Sequence, residues 1–325
     1  MSDDARWLAA AAGIAARGRP LSRPNPAVGA LIVRDGRVVG RGWTRPGGRP
    51  HAEAVALAMA GDAADGATLY VTLEPCAHDS ARGPACACLI AASGLSRVVA
   101  ACRDPDPRTA GRGLARIAAA GIAAEFLAIP QAHASLAGYL TLRVKHRPHV
   151  TLKLATSLDG CIAMAGGESR WITGEAARAH GHAMRAGADA ILVGGGTLRA
   201  DAPGLDVRLP GLGNRSPERW VLTRGKVPEG WHALPSPEAI ANMDGVQYLF
   251  VEGGAQAAAA FLAADLVDRL LLYRAPIVIG GGRPAIGDIG LASLAGAHGR
   301  WRMSDRRRLG SDTLEVYDRA PCSPE

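Results

Sequence analysis

Apolar and polar positions along this chain switch between helical and strand spacing, and each switch marks an element. Residues 3–17 read as an opening helix with Asp3 or Asp4 near its N-cap, and Pro20, Pro24 and Pro26 end it in a rigid loop around Asn25. Two β-rich runs between Val28 and Gly40 are joined by Asp35-Gly36, which predicts a hairpin. A loop from Gly42 to Pro50 follows, and then His51 to Met59 has helical spacing, with His51 and Glu53 expected in the first turn. Residues 67–73 form a buried-type strand that delivers Glu74-Pro75-Cys76 at its end. A loop carrying His78, Arg82 and Pro84 leads to a helix over 85–93, and a strand over 97–102 ends at Asp104-Pro-Asp-Pro. Gly111-Arg-Gly113 opens a helix that Gly121 ends, before a strand around 122–129. Helices between parallel strands predict a three-layer α/β sandwich.

A helix near 131–143 runs into the polar, proline-marked segment Lys145 to His149, which is read as a boundary between domains 1–146 and 147–325. The second half restarts with a β-rich run from Val150 to Gly160 and a helix from about Gly174 past Arg185. A strand over 189–193 breaks into Gly194-Gly-Gly196-Thr197, and 203–218 is a Pro/Gly-rich loop. A strand over 247–251 enters Glu252-Gly253-Gly254 and an alanine-rich helix, and a strand over 269–273 precedes Pro276 to Gly282. The halves show no internal repeat.

Composition narrows the functional classes. The 325 residues, 48% hydrophobic and 21% charged, suit two globular domains. No run of 18 uncharged apolar residues suggests a membrane span, and the acidic start Met1-Ser-Asp-Asp argues against a signal peptide, so a cytoplasmic location is expected. The net charge of +7 comes almost wholly from arginine, since lysine occurs only at 145, 153 and 226. These arginines are scattered and aromatics make up 4%, too few for a base-stacking platform. Sites for phosphorylated small molecules are the better reading than nucleic-acid binding. Cysteines at 76, 86, 88, 102, 161 and 322 in a chain of this size suggest reduced thiols. Cys102, Cys161 and Cys322 are isolated and read as packing or surface residues.

His51-Ala-Glu53 followed by Pro75-Cys76 is candidate metal chemistry. A zinc ion that activates water needs three protein ligands, one open position and a nearby carboxylate that moves protons without ligating. His51, Cys76 and one of Cys86 or Cys88 would be the ligands, and Glu53 the proton shuttle. The pattern H-x-E…P-C-x-x-C marks zinc nucleobase deaminases. Here the second cysteine comes much later than that spacing. A structural zinc module would instead need a fourth protein ligand.

Longer matches make the reading more specific. Asn25-Pro-Ala-Val-Gly29, Pro50-His-Ala-Glu53, Thr72-Leu-Glu-Pro-Cys76-Ala-His78, Gly83-Pro-Ala-Cys86, Asp104-Pro-Asp-Pro107 and Ala110-Gly-Arg-Gly113 resemble the deaminase domain of the bifunctional riboflavin-biosynthesis deaminase–reductases. That resemblance implies a cytidine-deaminase-like sandwich and Cys86, after Gly-Pro-Ala, as third ligand, although one residue more than usual separates it from Cys76. It also implies a pyrimidine pocket lined by Asn25, Asp104 and Asp106, with His78 and Arg82 near a phosphorylated substrate. Thr44 and Asp106 stand where the family usually has His and Asn.

In the second half, the glycine loops at 194–197 and 252–254 could each present backbone N–H groups to a phosphate, but neither is the G-x-G-x-x-G fingerprint. Lys153 to Gly160, Gly167 to Thr173, Arg185, Gly196 to Pro203, Leu205 to Arg208 and Val251 to Gly254 resemble the reductase domain of the same family. The resemblance implies a dihydrofolate-reductase-like fold and NADPH-dependent reduction of the ribosyl group to ribityl. By motif, Ala155, Trp171, Thr197, Asp201 and Gly254 would lie on the cofactor side. Ser169, Arg185, Leu205, Arg208 and Glu252 would lie on the substrate side. The stretch from Leu222 to Tyr248 is shorter than in the family, with Thr223-Arg224 where an Asp-Ser pair is common. The expectation is a homo-oligomeric enzyme, dimer or tetramer, using zinc and NADPH on a phosphorylated pyrimidine. The alternatives are a deaminase with a catalytically weak binding domain and a nucleic-acid-editing deaminase.

Overall fold

The structure, a computed structural model, describes residues 3–78 and 80–320. Cys322 lies outside the described residues. The chain divides into two compact units, one ending at His146 and the other beginning at Arg147.

In the first unit, α1 (Asp3–Ala15) precedes the hairpin β1 (Gly29–Arg34) and β2 (Arg37–Trp43). Asp35 and Gly36 both take positive φ at its turn, as the twist of a two-residue hairpin requires. Next come α2 (Ala52–Ala60), β3 (Thr68–Val71), α3 (Cys86–Ala91), β4 (Arg97–Ala100), α4 (Arg112–Ala119) and β5 (Ala123–Phe126). Two helices close the unit, α5 (Pro130–Ser135) and α6 (Ala137–Lys145). The single helix expected over 131–143 is thus broken at Leu136, whose backbone leaves the helical region.

The sheet order is β2-β1-β3-β4-β5, with the hairpin antiparallel and β3, β4 and β5 parallel. Its core joins Leu8 of α1, Ile32, Leu69, Val98 and Val99 of the strands, and Ile90 and Ile117 of α3 and α4. Helix α2 packs closely on the hairpin because Gly40 and Gly42 have no side chain. A Cβ on Gly42 would lie 2.1 Å from the Ala52 carbonyl oxygen, and one on Gly40 2.3 Å from that of Ala56.

The second unit holds β6 (His149–Thr156), β7 (Cys161–Ala163), α7 (Glu175–Arg185), β8 (Ala190–Gly194), α8 (Gly195–Asp201), β9 (Glu218–Leu222) and β10 (Trp231–Leu234). After these come β11 (Tyr248–Val251), α9 (Ala255–Ala263), β12 (Arg269–Arg274), β13 (Arg283–Pro284), β14 (Trp301–Leu309) and β15 (Asp312–Arg319). One sheet runs β10-β9-β8-β11-β6-β12-β15-β14, parallel from β10 to β12 and antiparallel at β15 and β14. Strands β7 and β13 form a small separate pair.

Three expectations change here. The glycine loop at 194–197 instead opens the helix Gly195–Asp201, α7 stops at Arg185 instead of running past it, and β7, β9, β10, β13, β14 and β15 were not anticipated. Helix α8 directly continues β8 and packs Leu198 against the cluster of Ile191 and Val193. Strand β14 carries Arg302, Arg306, Arg307 and Arg308 and is exposed over most of its length, so it reads as a charge run. Among the described residues, no helix is long and apolar enough to cross a membrane.

Candidate active sites

Three strand and helix ends of the first unit converge. His51 is the residue just before α2, in extended conformation, and not part of its first turn as expected; Glu53 is inside that turn and buried. The chain beyond β3 brings in Cys76, and Cys86 opens α3 with its N–H donating to the Cys76 sulfur at 3.2 Å. His51 Nδ1 lies 3.3 Å from Cys86 Sγ and 3.6 Å from Cys76 Sγ, and all three ligand atoms fall within 4.8 Å of one another. A tetrahedral zinc ion with bonds of ~2.0–2.3 Å holds its ligand atoms about 3.3–3.8 Å apart, so this donor set fits the ion. Cys88 points elsewhere: its sulfur accepts from Arg116 Nη1 at 3.1 Å.

Electrostatics favour charge on the Cys76 sulfur and a proton-moving role for Glu53. Hydrogen bonding from the Cys86 thiol, set against burial and helped by His51, pulls the Cys76 thiol down. The Cys76 sulfur and burial push the Cys86 thiol up. Burial drives the Glu53 carboxyl above its ordinary value, with His51 opposing. Burial lowers the His51 imidazole, but Cys76 and Glu53 together outweigh it and leave it raised.

A cavity of about 230 Å³ opens onto this cluster, lined by His51, Glu53 and Cys76 and by Asn25, His78, Arg82, Asp104 and Asp106. Asn25 Nδ2 lies 3.0 Å from His51 Nε2 and donates to the Gly48 carbonyl at 2.9 Å. His78 Nδ1 is 3.4 Å from the Thr109 hydroxyl, and Arg82 donates to the Gly47 carbonyl at 3.0 Å. Tyr139 donates its hydroxyl proton to Asp104 at 2.8 Å. Asp106 is gripped by Arg108 and has Arg143 at 3.6 Å; Arg108 holds its carboxyl well below the usual range. Thr44 is buried on the cavity wall and accepts from the Val28 N–H at 3.0 Å. Tyr139, Arg108 and Arg143 escaped the sequence reading. The only available signal was the spacing of Tyr139 and Arg143 by one helical turn on α6, facing a loop distant in sequence.

Two adjoining clefts of the second unit, about 530 and 800 Å³, share Lys153, Ala155, Ser169 and Glu252 on their walls. The larger also takes in Thr197, Asp201, Gly253 and Gly254, and the smaller Trp171, Arg185 and Arg208. Trp171 therefore stands with the arginines and not with the glycine loops where the resemblance puts the cofactor. Leu205 is buried against Ala177, Val193 and Phe250, and among the described residues its side chain lines neither cleft. The structure does not bring this expected substrate residue to the site.

Arg185 makes a bidentate pair with Glu252 at 2.6 and 2.9 Å and donates to the Asp206 carbonyl at 3.0 Å. Burial works against ionisation of Glu252, but Lys153, 3.7 Å away, and Arg185 keep its carboxyl below the ordinary value. Lys153, which opens the Lys153 to Gly160 match but is given no role by it, is a further residue that the site brings in. The larger cleft fits a dinucleotide: glycines 194–196 and 253–254 leave one stretch of its wall without side chains, and α9 opens into it with Gly254 at its N-cap.

A mixed sheet presenting a His/Cys/Cys triad beside a buried glutamate defines the class of zinc deaminases, here joined to a second α/β unit with a glycine-walled cleft. Family comparison gives the same division. Residues 1–102 match the cytidine and deoxycytidylate deaminase zinc-binding region, and residues 148–236 and 237–314 match the RibD C-terminal domain. The Escherichia coli riboflavin biosynthesis protein RibD is 37% identical over 95% of this chain and 97% of its own, and the Aquifex aeolicus RibD 34% over 97% and 98%. Among solved structures, Acinetobacter baumannii RibD superposes with a TM-score of 0.86 at 34% identity, covering 98% of this chain and 99% of that one. A Thermotoga maritima diaminohydroxyphosphoribosylaminopyrimidine deaminase/5-amino-6-(5-phosphoribosylamino)uracil reductase gives 0.87 at 30% over the same shares. The chain belongs to the RibD family of riboflavin biosynthesis proteins.

Proposed function

We propose that this chain is a bifunctional enzyme of riboflavin biosynthesis. Its first unit hydrolytically deaminates a 2,5-diamino-6-ribosylamino-4(3H)-pyrimidinone 5′-phosphate, and its second reduces the ribosyl group of the product to ribityl. The observation that carries the reading is the convergence of His51, Cys76 and Cys86 beside buried Glu53, at the end of a cavity lined by Asn25 and Asp104.

His51 Nδ1 and the two cysteine sulfurs would hold zinc, which supplies a Lewis acid that brings the pKa of water towards neutrality. Glu53 takes the proton from the attacking water and returns it to the departing amine. Burial suits it to both tasks, since its carboxyl is easier to protonate than an exposed one. Asn25 and Asp104 orient the ring. Asp106 is ionised and can only accept, so it reads N–H groups on the ring edge. His78 and Arg82 sit where the phosphoribosyl arm leaves the cavity.

In the second unit, Ala155, Thr197, Asp201 and Gly254 would bind NADPH, which supplies the hydride. Ser169 and Arg208 take the substrate, with Arg208 gripping the phosphate. Glu252 fixes Arg185 by two hydrogen bonds and leaves N–H groups of its guanidinium for the same ligand. Trp171 closes the substrate end. The deaminase domain is residues 1–146 and the reductase domain residues 147–325, in a cytoplasmic homo-oligomer, dimer or tetramer. Both activities can be followed on one sample: ammonia release from the diaminopyrimidine, then NADPH oxidation on the deaminated product. Ammonia release without NADPH oxidation would reduce the second unit to a binding module.

A further inference from the structure

The Ala110-Gly-Arg-Gly113 motif has no part in the chemistry above, and its backbone leads to Glu74. The Glu74 side chain is 2% exposed and its carboxylate collects four backbone N–H groups from one segment. Oε2 accepts from Asp104 at 3.5 Å and Gly111 at 3.0 Å; Oε1 accepts from Gly113 at 3.1 Å and Leu114 at 3.3 Å. The last three N–H groups are at the start of α4, where a carboxylate also meets the positive end of the helix dipole. Gly113 has to be glycine for this: a Cβ there would lie 1.9 Å from the Pro75 carbonyl oxygen. The segment so clamped is the one that carries Asp104 and Asp106 into the cavity, and it is held from its other side by Tyr139, whose hydroxyl bonds Asp104 Oδ1 at 2.8 Å. Asp104 Oδ1 in turn accepts the Asp106 N–H at 3.0 Å, so both acids share one anchorage.

Glu74 is two residues from Cys76. A single carboxylate therefore ties the end of the strand that supplies a metal ligand to the turn that supplies the ring-facing acids. We infer that Glu74 and Tyr139 are positioning residues of the deaminase, which set the Asp104–Asp106 turn at its working distance from the His51/Cys76/Cys86 cluster. The inference rests on the deaminase reading above. It assigns neither residue a contact with substrate.

The test uses the full-length, zinc-loaded chain and the variants Glu74→Gln and Tyr139→Phe. Glutamine is the same size but turns an amino group towards N–H donors, so the turn loses part of its clamp. Tyr139→Phe removes one hydrogen bond and little else. Displacement of about 1 Å in a positioning group costs on the order of 100-fold in kcat/KM, and because Asp104 and Asp106 hold the ring and do not react with it, the loss falls mainly on KM. The deaminase KM should rise roughly 10- to 100-fold in Glu74→Gln, and by a smaller factor in Tyr139→Phe, with kcat falling less than KM rises. Zinc content and NADPH-dependent reduction of the deaminated product should stay at parental values in both. A parental KM in both variants overturns the inference. So does loss of zinc from Glu74→Gln together with a parental KM in Tyr139→Phe, which would leave Glu74 a purely structural residue. Failure of the underlying reading shows separately, as absence of ammonia release from the parent chain.

Discussion

Replacing Glu53 by glutamine isolates the proton-transfer step from metal binding. The side chain is 3% exposed, in the first turn of a helix that Gly40 and Gly42 hold against the sheet, so an isosteric amide fits the same space. Burial disfavours the charged form of this carboxyl, and the amide avoids that cost, so folding should not suffer. The metal cluster needs only His51 Nδ1 and the two sulfurs, and zinc should remain. Activity should not. General acid–base catalysis contributes about 10²–10⁴-fold per transfer, and Glu53 serves both the attacking water and the departing amine.

The other acids on the cavity wall already hold partners. Glu74 spends both oxygens on backbone N–H groups, Asp104 accepts from Tyr139 and the Asp106 N–H, and Asp106 is paired with Arg108. We therefore expect ammonia release to fall by at least ~10⁴-fold, about 5.4 kcal/mol in the barrier. The assay couples ammonia release to a dehydrogenase, with metal content measured on the same sample and NADPH oxidation on the deaminated product as the internal control. Glu53→Gln retaining more than about a tenth of the parental rate, with full zinc, would remove this residue from the mechanism.

Two further outcomes follow from the geometry. Cys86→Ser should lose stoichiometric zinc, whereas Cys88→Ser should keep it, because the Cys88 sulfur is turned to Arg116; metal analysis showing the reverse would refute the ligand assignment. In the second unit, buried Asp268 makes a bidentate pair with Arg147 at 2.6 and 2.9 Å and accepts the Val150 N–H at 2.9 Å. Burial opposes the charge on Asp268, but the Arg147 partner and the other hydrogen bonds hold its carboxyl below the ordinary 3.8. Its stabilisation is therefore fully present above about pH 4 and disappears as pH falls through the lowered value. Asp268→Asn, which strands Arg147, should cost about 3–5 kcal/mol at neutral pH and flatten the acid limb. Urea melts across pH 2–7 that superpose for parent and variant would contradict the pairing.

How far the sequence carries depends on whether a signal is local. The hairpin at Asp35-Gly36, the helix after His51 and the strand before Glu74 are each written within about ten consecutive residues, by turn chemistry and side-chain period. The same holds for the His51-x-Glu53 pair and for Pro75-Cys76, which is why the metal chemistry was legible before any fold. Strand β14 was not, since an edge strand with arginines on its open face has the composition of a solvated loop. Helix α8 was not either: glycines at 194–196 predict a loop, and the contact of Leu198 with the Ile191/Val193 cluster is a tertiary one.

The sequence alone determined which groups could bind metal and move protons, because those are properties of residue types at short spacing. It also determined that two α/β units would follow one another. Only the tertiary structure decided that Cys86 and not Cys88 faces His51, that Leu205 is packed away from the clefts, and that Tyr139 and Glu74 hold the Asp104–Asp106 turn from either side. Each of these is a matter of which face a side chain presents to a partner tens of residues away. Direction across such a gap is set by how helices and strands pack, which no short window of sequence contains.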